Sequence, residues 1–137
     1  MTYPIKTFNL PALSGLSEKQ IKVHLALYEG YVKHVNLLME KFAAVRAGQL
    51  ELDPYIVAEM RRRFAFEFDG MRMHEYYFSQ LEGGASPIQG SLADALSAQY
   101  GSLESFLATF KATALMRGIG WSVLYYDIAA SRFHVAW

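Results

Sequence analysis

Cysteine is absent from all 137 residues, which excludes disulfides and thiolate metal ligands. Net charge is absent too. Thirteen basic residues cancel thirteen acidic ones, so no overall field would gather nucleic acid or an anionic membrane. The one dense basic run, Arg61–Arg63, falls within a helical pattern and reads as a solvated face. No apolar run nears the ~20 residues of a bilayer-spanning helix. The opening "MTYPIKTFNLPAL" lacks a basic stretch followed by an apolar one, so no secretory leader is expected. There is no internal repeat and no low-complexity segment. These absences lead to the expectation of a soluble, cytoplasmic protein that binds neither nucleic acid nor membrane.

Apolar residues, by contrast, are plentiful. Hydrophobic side chains make up 53% of the chain and aromatic ones 15%, enough for a large buried core and too much for a disordered chain. Ser17 followed by Gln20 is a capping-box pattern that opens a helix. From there Ile21, His24, Tyr28, Tyr31, Val35, Leu38, Phe42 and Val45 recur at steps of three and four, one continuous stripe. Gly48 can end that helix in the left-handed conformation. Asp53 and Pro54 then supply an N-cap and a first helical residue whose missing N–H costs nothing. The second stripe runs Ile56, Met60, Phe64, Glu67, Met71, His74, Phe78, Leu81, and stops at the linker "EGGASP". Beyond it, Ser91 and Ser102 read as N-caps of two shorter helices, over 92–99 and 103–116. "WSVLYYD" and "RFHVAW" read as two strands joined by a turn at "IAAS". The second of these would form an unprotected hydrophobic edge. The expected class is α+β: a helical-hairpin domain over 1–84, then the start of an α/β domain with an antiparallel sheet over 85–137.

The hairpin makes a geometric statement about two histidines. Helices joined by a short turn pack antiparallel, so residues equidistant from the turn lie side by side. The midpoint of positions 24 and 74 is 49, inside the turn. His24 and His74 therefore share one height, ~37 Å from the turn at ~1.5 Å per residue, on inward-facing stripes. Gly70 lies one turn before His74 and is expected to leave a gap beside its ring. Tyr28, Tyr31, Tyr77 and Phe78 surround the pair with aromatic surface, which controls solvent access and dielectric around a metal. Two readings stand on geometry alone: a ligand pair, or core histidines hydrogen-bonded to Glu67 or a tyrosine. A di-iron carboxylate bundle is excluded, since it needs Glu-x-x-His and the residues three before His24 and His74 are Ile21 and Met71. His34 lies about 80° off the His24 face, and His134 alternates with apolar neighbours on a strand, so both read as surface residues.

Several ordered segments resemble the iron/manganese superoxide dismutases. "LPALSGLSEKQIKVH" is similar to that family's Leu-Pro opening and first ligand helix, and "YEGYV" to its Tyr-Val step. "MRMHEYYFSQL" is similar to the segment around its second histidine, with Phe78 where Trp is usual. "QYGSLESFLATFKATALMRGIGWSVLYYD" is similar to the run that begins its α/β domain. The resemblance implies disproportionation of superoxide at one Mn or Fe ion per subunit, in a homodimer or homotetramer. It implies His24 and His74 as metal ligands, Tyr31 as the tyrosine that gates substrate, and Trp121 as an aromatic wall. It also implies supporting places around the ion for Tyr28, Gly70, Tyr77 and Phe78. Gly70 stands where iron-type members often carry Gln and manganese-type members Gly, which leans toward manganese or a metal-flexible site. The chain departs from the pattern in two ways. The step from His24 to Tyr31 is one residue shorter than usual, with Tyr28 near the place of the histidine that in the family usually supports the ligands without binding the ion. The Asp-x-Trp-x-His segment that carries the family's last two ligands has no counterpart, and Asp127 is followed four residues on by Ser131. The α/β domain is accordingly expected to be incomplete here, and a non-catalytic scaffold of the same fold is the alternative to an enzyme.

Overall fold

The structure is a computed structural model and describes residues 2–137. Its contacts divide into two units, one reaching to Ala85 and one formed by Ser86–Trp137.

The first unit is an antiparallel hairpin of α1 (Glu18–Arg46) and α2 (Pro54–Leu81). Each helix end is set by local chemistry. The Ser17 side chain accepts the Gln20 N–H while the Gln20 side chain accepts the Ser17 N–H, a complete capping box. At the other end Gly48 takes φ +68°, and the Gln49 and Gly48 N–H groups bond back to Ala44 and Val45, closing α1 as a Schellman motif. Asp53 Oδ1 accepts the Tyr55 N–H at 2.7 Å, and Pro54 is the first residue of α2.

The core line on α1 runs Tyr28, Val32, Val35, joined from α2 by Met71 and Phe78, and all five are essentially fully buried. Val32 was outside the stripe drawn from the sequence, because steps of three and four fit Tyr31 and Val32 equally well. The structure buries Val32 and leaves Tyr31 at the border, half-buried. Ile56 departs in the other direction and is 47% exposed. Burying side chains of this size stabilises the fold by about 1.5–3 kcal/mol each.

The described residues ahead of α1, 2–17, form no helix or strand, yet they are fastened to the hairpin. The Asn36 amide pairs with the Tyr3 backbone in both directions, at 2.7 and 2.9 Å. Phe8 packs on Tyr28 and Phe78 with ring centroids 5.7 and 5.3 Å away.

The second unit holds α3 (Ser91–Tyr100), α4 (Leu103–Ala114) and a two-stranded antiparallel sheet of β1 (Val123–Asp127) and β2 (Arg132–Ala136). Ser102 caps α4 as its sequence suggests, accepting the Ser105 N–H at 3.1 Å. Ser91 does not cap α3. It is the first helical residue, and Gly90 at φ +75° stands in the cap position without a side-chain bond. The β1–β2 register pairs Tyr126 with Phe133, whose rings meet at 4.8 Å. Asp127 Oδ1 accepts the N–H groups of Ala129 and Ala130 and so shapes the turn. The edge of β2 is less bare than its sequence suggests. The Gln99 amide accepts the Phe133 N–H at 2.8 Å and donates to its carbonyl at 2.6 Å. Trp137 lies against Gly118 and Gly120 but remains 53% exposed.

Candidate metal centre

His24 and His74 come together as the hairpin symmetry requires. Their ring centroids are 4.8 Å apart and their planes cross at 78°. That separation lets two imidazoles share one ion at metal–nitrogen distances of ~2.1 Å. His74 is 5% exposed, and His24 is half-buried.

Their protonation states suit a ligand role. Burial lowers the pKa of His24, helped by the neighbouring His74 charge. Burial also lowers the pKa of His74, against the opposing pull of the Gly70 carbonyl. Both rings are held neutral at pH 7, the form that binds metal. The Nδ1 of His74 lies 2.6 Å from the Gly70 carbonyl oxygen. A carbonyl only accepts, so Nδ1 carries the proton and Nε2 keeps its lone pair. Glu67 accepts from Arg63 at 2.6 Å and lies 3.9 Å from His34.

The aromatic shell is in place. Tyr77 and Phe78 each lie 5.0 Å from the His24 ring. Tyr31 lies 5.0 Å from His74, and Tyr28 lies 6.5 Å from it, nearly parallel at 28°. Gly70, however, leaves no gap. A Cβ there would fall 2.5–2.9 Å from three carbons of the Tyr31 ring, so the absent side chain is the seat of that ring. Trp121 belongs to the second unit, half-buried just before β1. His34 and His134 are exposed at the surface.

Glu75 was missed. It is 6% exposed, follows His74 directly, and binds Lys6, Arg72 and the Tyr28 hydroxyl. The spacing of Arg72 and Glu75 was a readable helix pair, but nothing local placed Lys6 against them.

The donor set is partial. Among the described residues no three His, Asp, Glu or Cys side chains converge as a metal site. Two imidazoles with one tautomer fixed have the chemistry of part of an Mn or Fe donor set.

A family model for iron/manganese superoxide dismutases, C-terminal domain, matches residues 88–137. A superoxide dismutase [Fe] of Cupriavidus metallidurans is 32% identical over 142 aligned positions, covering 100% of this chain and 71% of that protein. The chain belongs to the iron/manganese superoxide dismutase family. A superoxide dismutase [Fe] of Saccharolobus solfataricus is 33% identical over 88% of the chain and 59% of the relative. A superoxide dismutase [Mn/Fe] of Aeropyrum pernix is 32% identical over 90% and 59%. The chain thus spans about three fifths of the length of these two relatives. The antiparallel helix pair followed by helices and an antiparallel sheet agrees with the α+β fold expected from this family. Among the described residues no helix is long and apolar enough to cross a membrane.

Proposed function

We propose that this chain contributes two ligands, His24 and His74, to a mononuclear Mn or Fe centre that disproportionates superoxide. The observation that carries the reading is the meeting of two neutral imidazoles at 4.8 Å, one buried and one half-buried, the buried one with its Nδ1–H held by a carbonyl. A bound ion would supply the one-electron exchange by which two superoxide anions and two protons become dioxygen and hydrogen peroxide. The protein's own part is then specific. His24 and His74 hold the ion through neutral nitrogens, while Tyr28, Tyr77 and Phe78 keep bulk water from it. Tyr31, seated on Gly70 at the border of the core, places a phenol beside His74, where it can gate access and hold a proton. The wall role of Trp121 rests on the resemblance alone, as does a homodimeric or homotetrameric state, while a cytoplasmic location rests on the sequence pattern.

The second reading is a non-catalytic scaffold of the same fold, and the incomplete donor set favours it. Metal analysis beside a superoxide-consumption assay separates the two. Two imidazoles leave most positions on an ion to water, so the 137 residues alone should bind Mn or Fe weakly and show little activity. Joining a segment with Asp-x-Trp-x-His should raise both. If metal content and activity of the joined protein survive His74→Ala, the assignment of that residue fails.

A further inference from the structure

A carboxylate as deep as Glu75 is costly unless it is paired and hydrogen-bonded. Its Oε2 receives Lys6 Nζ at 2.8 Å and Arg72 at 2.7 Å, and its Oε1 accepts the Tyr28 hydroxyl at 3.3 Å. The same hydroxyl accepts the Lys6 backbone N–H at 3.0 Å. Tyr28 is fully buried, and its ring flanks His74 while Phe8 and Phe78 pack edge-on against it. Arg72 in turn covers the Tyr3 and Phe68 rings at 4.9 and 5.4 Å. Two independent segments therefore converge on one carboxylate, and that carboxylate holds the hydroxyl of a ring that forms a wall of the His74 site.

We propose that Glu75 is a positioning residue for His74: through the Tyr28 hydroxyl it sets the ring against which the imidazole rests, and through Lys6 it fastens the N-terminal segment over that ring. The functional sense of this positioning rests on the metal-centre reading, but the positioning itself is a property of the metal-free chain. A hydrogen-bonded hydroxyl anchors the far end of a tyrosine ring and so limits its swing about the Cα–Cβ bond, which packing contacts alone leave with more freedom. A ligand whose orientation is fixed in advance loses less freedom on binding.

The test uses the 137-residue chain, metal-free and labelled with nitrogen-15. Its His74 imidazole should show one neutral tautomer with the proton on Nδ1. Tyr28→Phe keeps the ring but removes the hydroxyl, and Glu75→Ala removes the acceptor. Both should broaden or average the His74 nitrogen signals. Glu75→Gln keeps one acceptor oxygen for the Tyr28 hydroxyl, Lys6 and Arg72, which occupy both oxygens of the carboxylate, so its spectrum should fall between the parent and Glu75→Ala. Titration with Co(II) as a spectroscopic probe should show affinity falling about tenfold in Tyr28→Phe, in the range known for supports one step removed from a metal, with Glu75→Gln falling between Tyr28→Phe and the parent. Unchanged His74 signals in Tyr28→Phe, with only the unfolding midpoint lowered, would overturn the proposal and leave Glu75 a structural ion pair. A parent Co(II) affinity indifferent to His74→Ala would instead sink the metal-centre reading, while a tautomer signal that still responds to Tyr28→Phe would uphold the positioning.

Discussion

A methyl group on Gly70 would land 2.5–2.9 Å from Tyr31 ring carbons, so Gly70→Ala must drive that ring away from His74 or strain the hairpin. Overpacking of this kind costs about 1–3 kcal/mol. The expected result is a lower urea midpoint together with shifted Tyr31 ring resonances, and an unchanged midpoint would mean that the ring has room to move. Glu75 permits a prediction of a different sort. Burial alone would raise its pKa, but the hydrogen bonds and charges of Lys6 and Arg72 outweigh that and hold the carboxyl below its ordinary 4.5. A group whose folded pKa is depressed adds stability that is present above the unfolded value and lost as pH falls through the folded one. The stability difference between the parent and Glu75→Gln should therefore be full above about pH 4.5 and shrink below it. Urea unfolding across that range measures it, and a difference that grows on acidification would contradict the ion-pair account.

At the scale of elements, the helix ends were legible because their chemistry is local. Ser17, Gly48, Asp53 and Ser102 all act within a few residues of themselves. Ser17→Ala should cost about 1 kcal/mol through the lost cap, read as a fall in thermal midpoint. Ser91 shows the limit of such signals, since a serine ahead of an apolar run can cap or simply begin the helix. The β2 edge shows another. Gln99 is 34 positions from Phe133, and no local pattern marks it as the residue that satisfies that backbone. Gln99→Ala should speed amide hydrogen exchange at Phe133 while leaving the α1–α2 amides as they were. Equal protection of Phe133 in both proteins would show that the bond contributes nothing to the edge.

For the whole molecule, membership in the superoxide dismutase family joins the histidine pair to a proposed redox centre, and the roles of individual residues should separate by experiment. In a protein supplied with the remaining donors, His74→Ala should remove metal and activity together. Tyr31→Phe should keep the metal and alter turnover. Loss of metal from Tyr31→Phe would make that tyrosine a support for the ion rather than a gate.

By itself the sequence determined the helices, the caps at Ser17, Asp53 and Ser102, the hairpin and the shared height of His24 and His74. Those follow from short-range periodicity and from the fixed rise of a helix, both of which operate along the chain. Tertiary structure alone decided that Val32 rather than Tyr31 enters the core, that the Tyr31 ring sits on Gly70, and that Glu75 is held by a lysine 69 positions away. Such choices depend on which side chains meet once the segments have folded together. Contacts between residues so far apart leave no periodic trace in the order of amino acids.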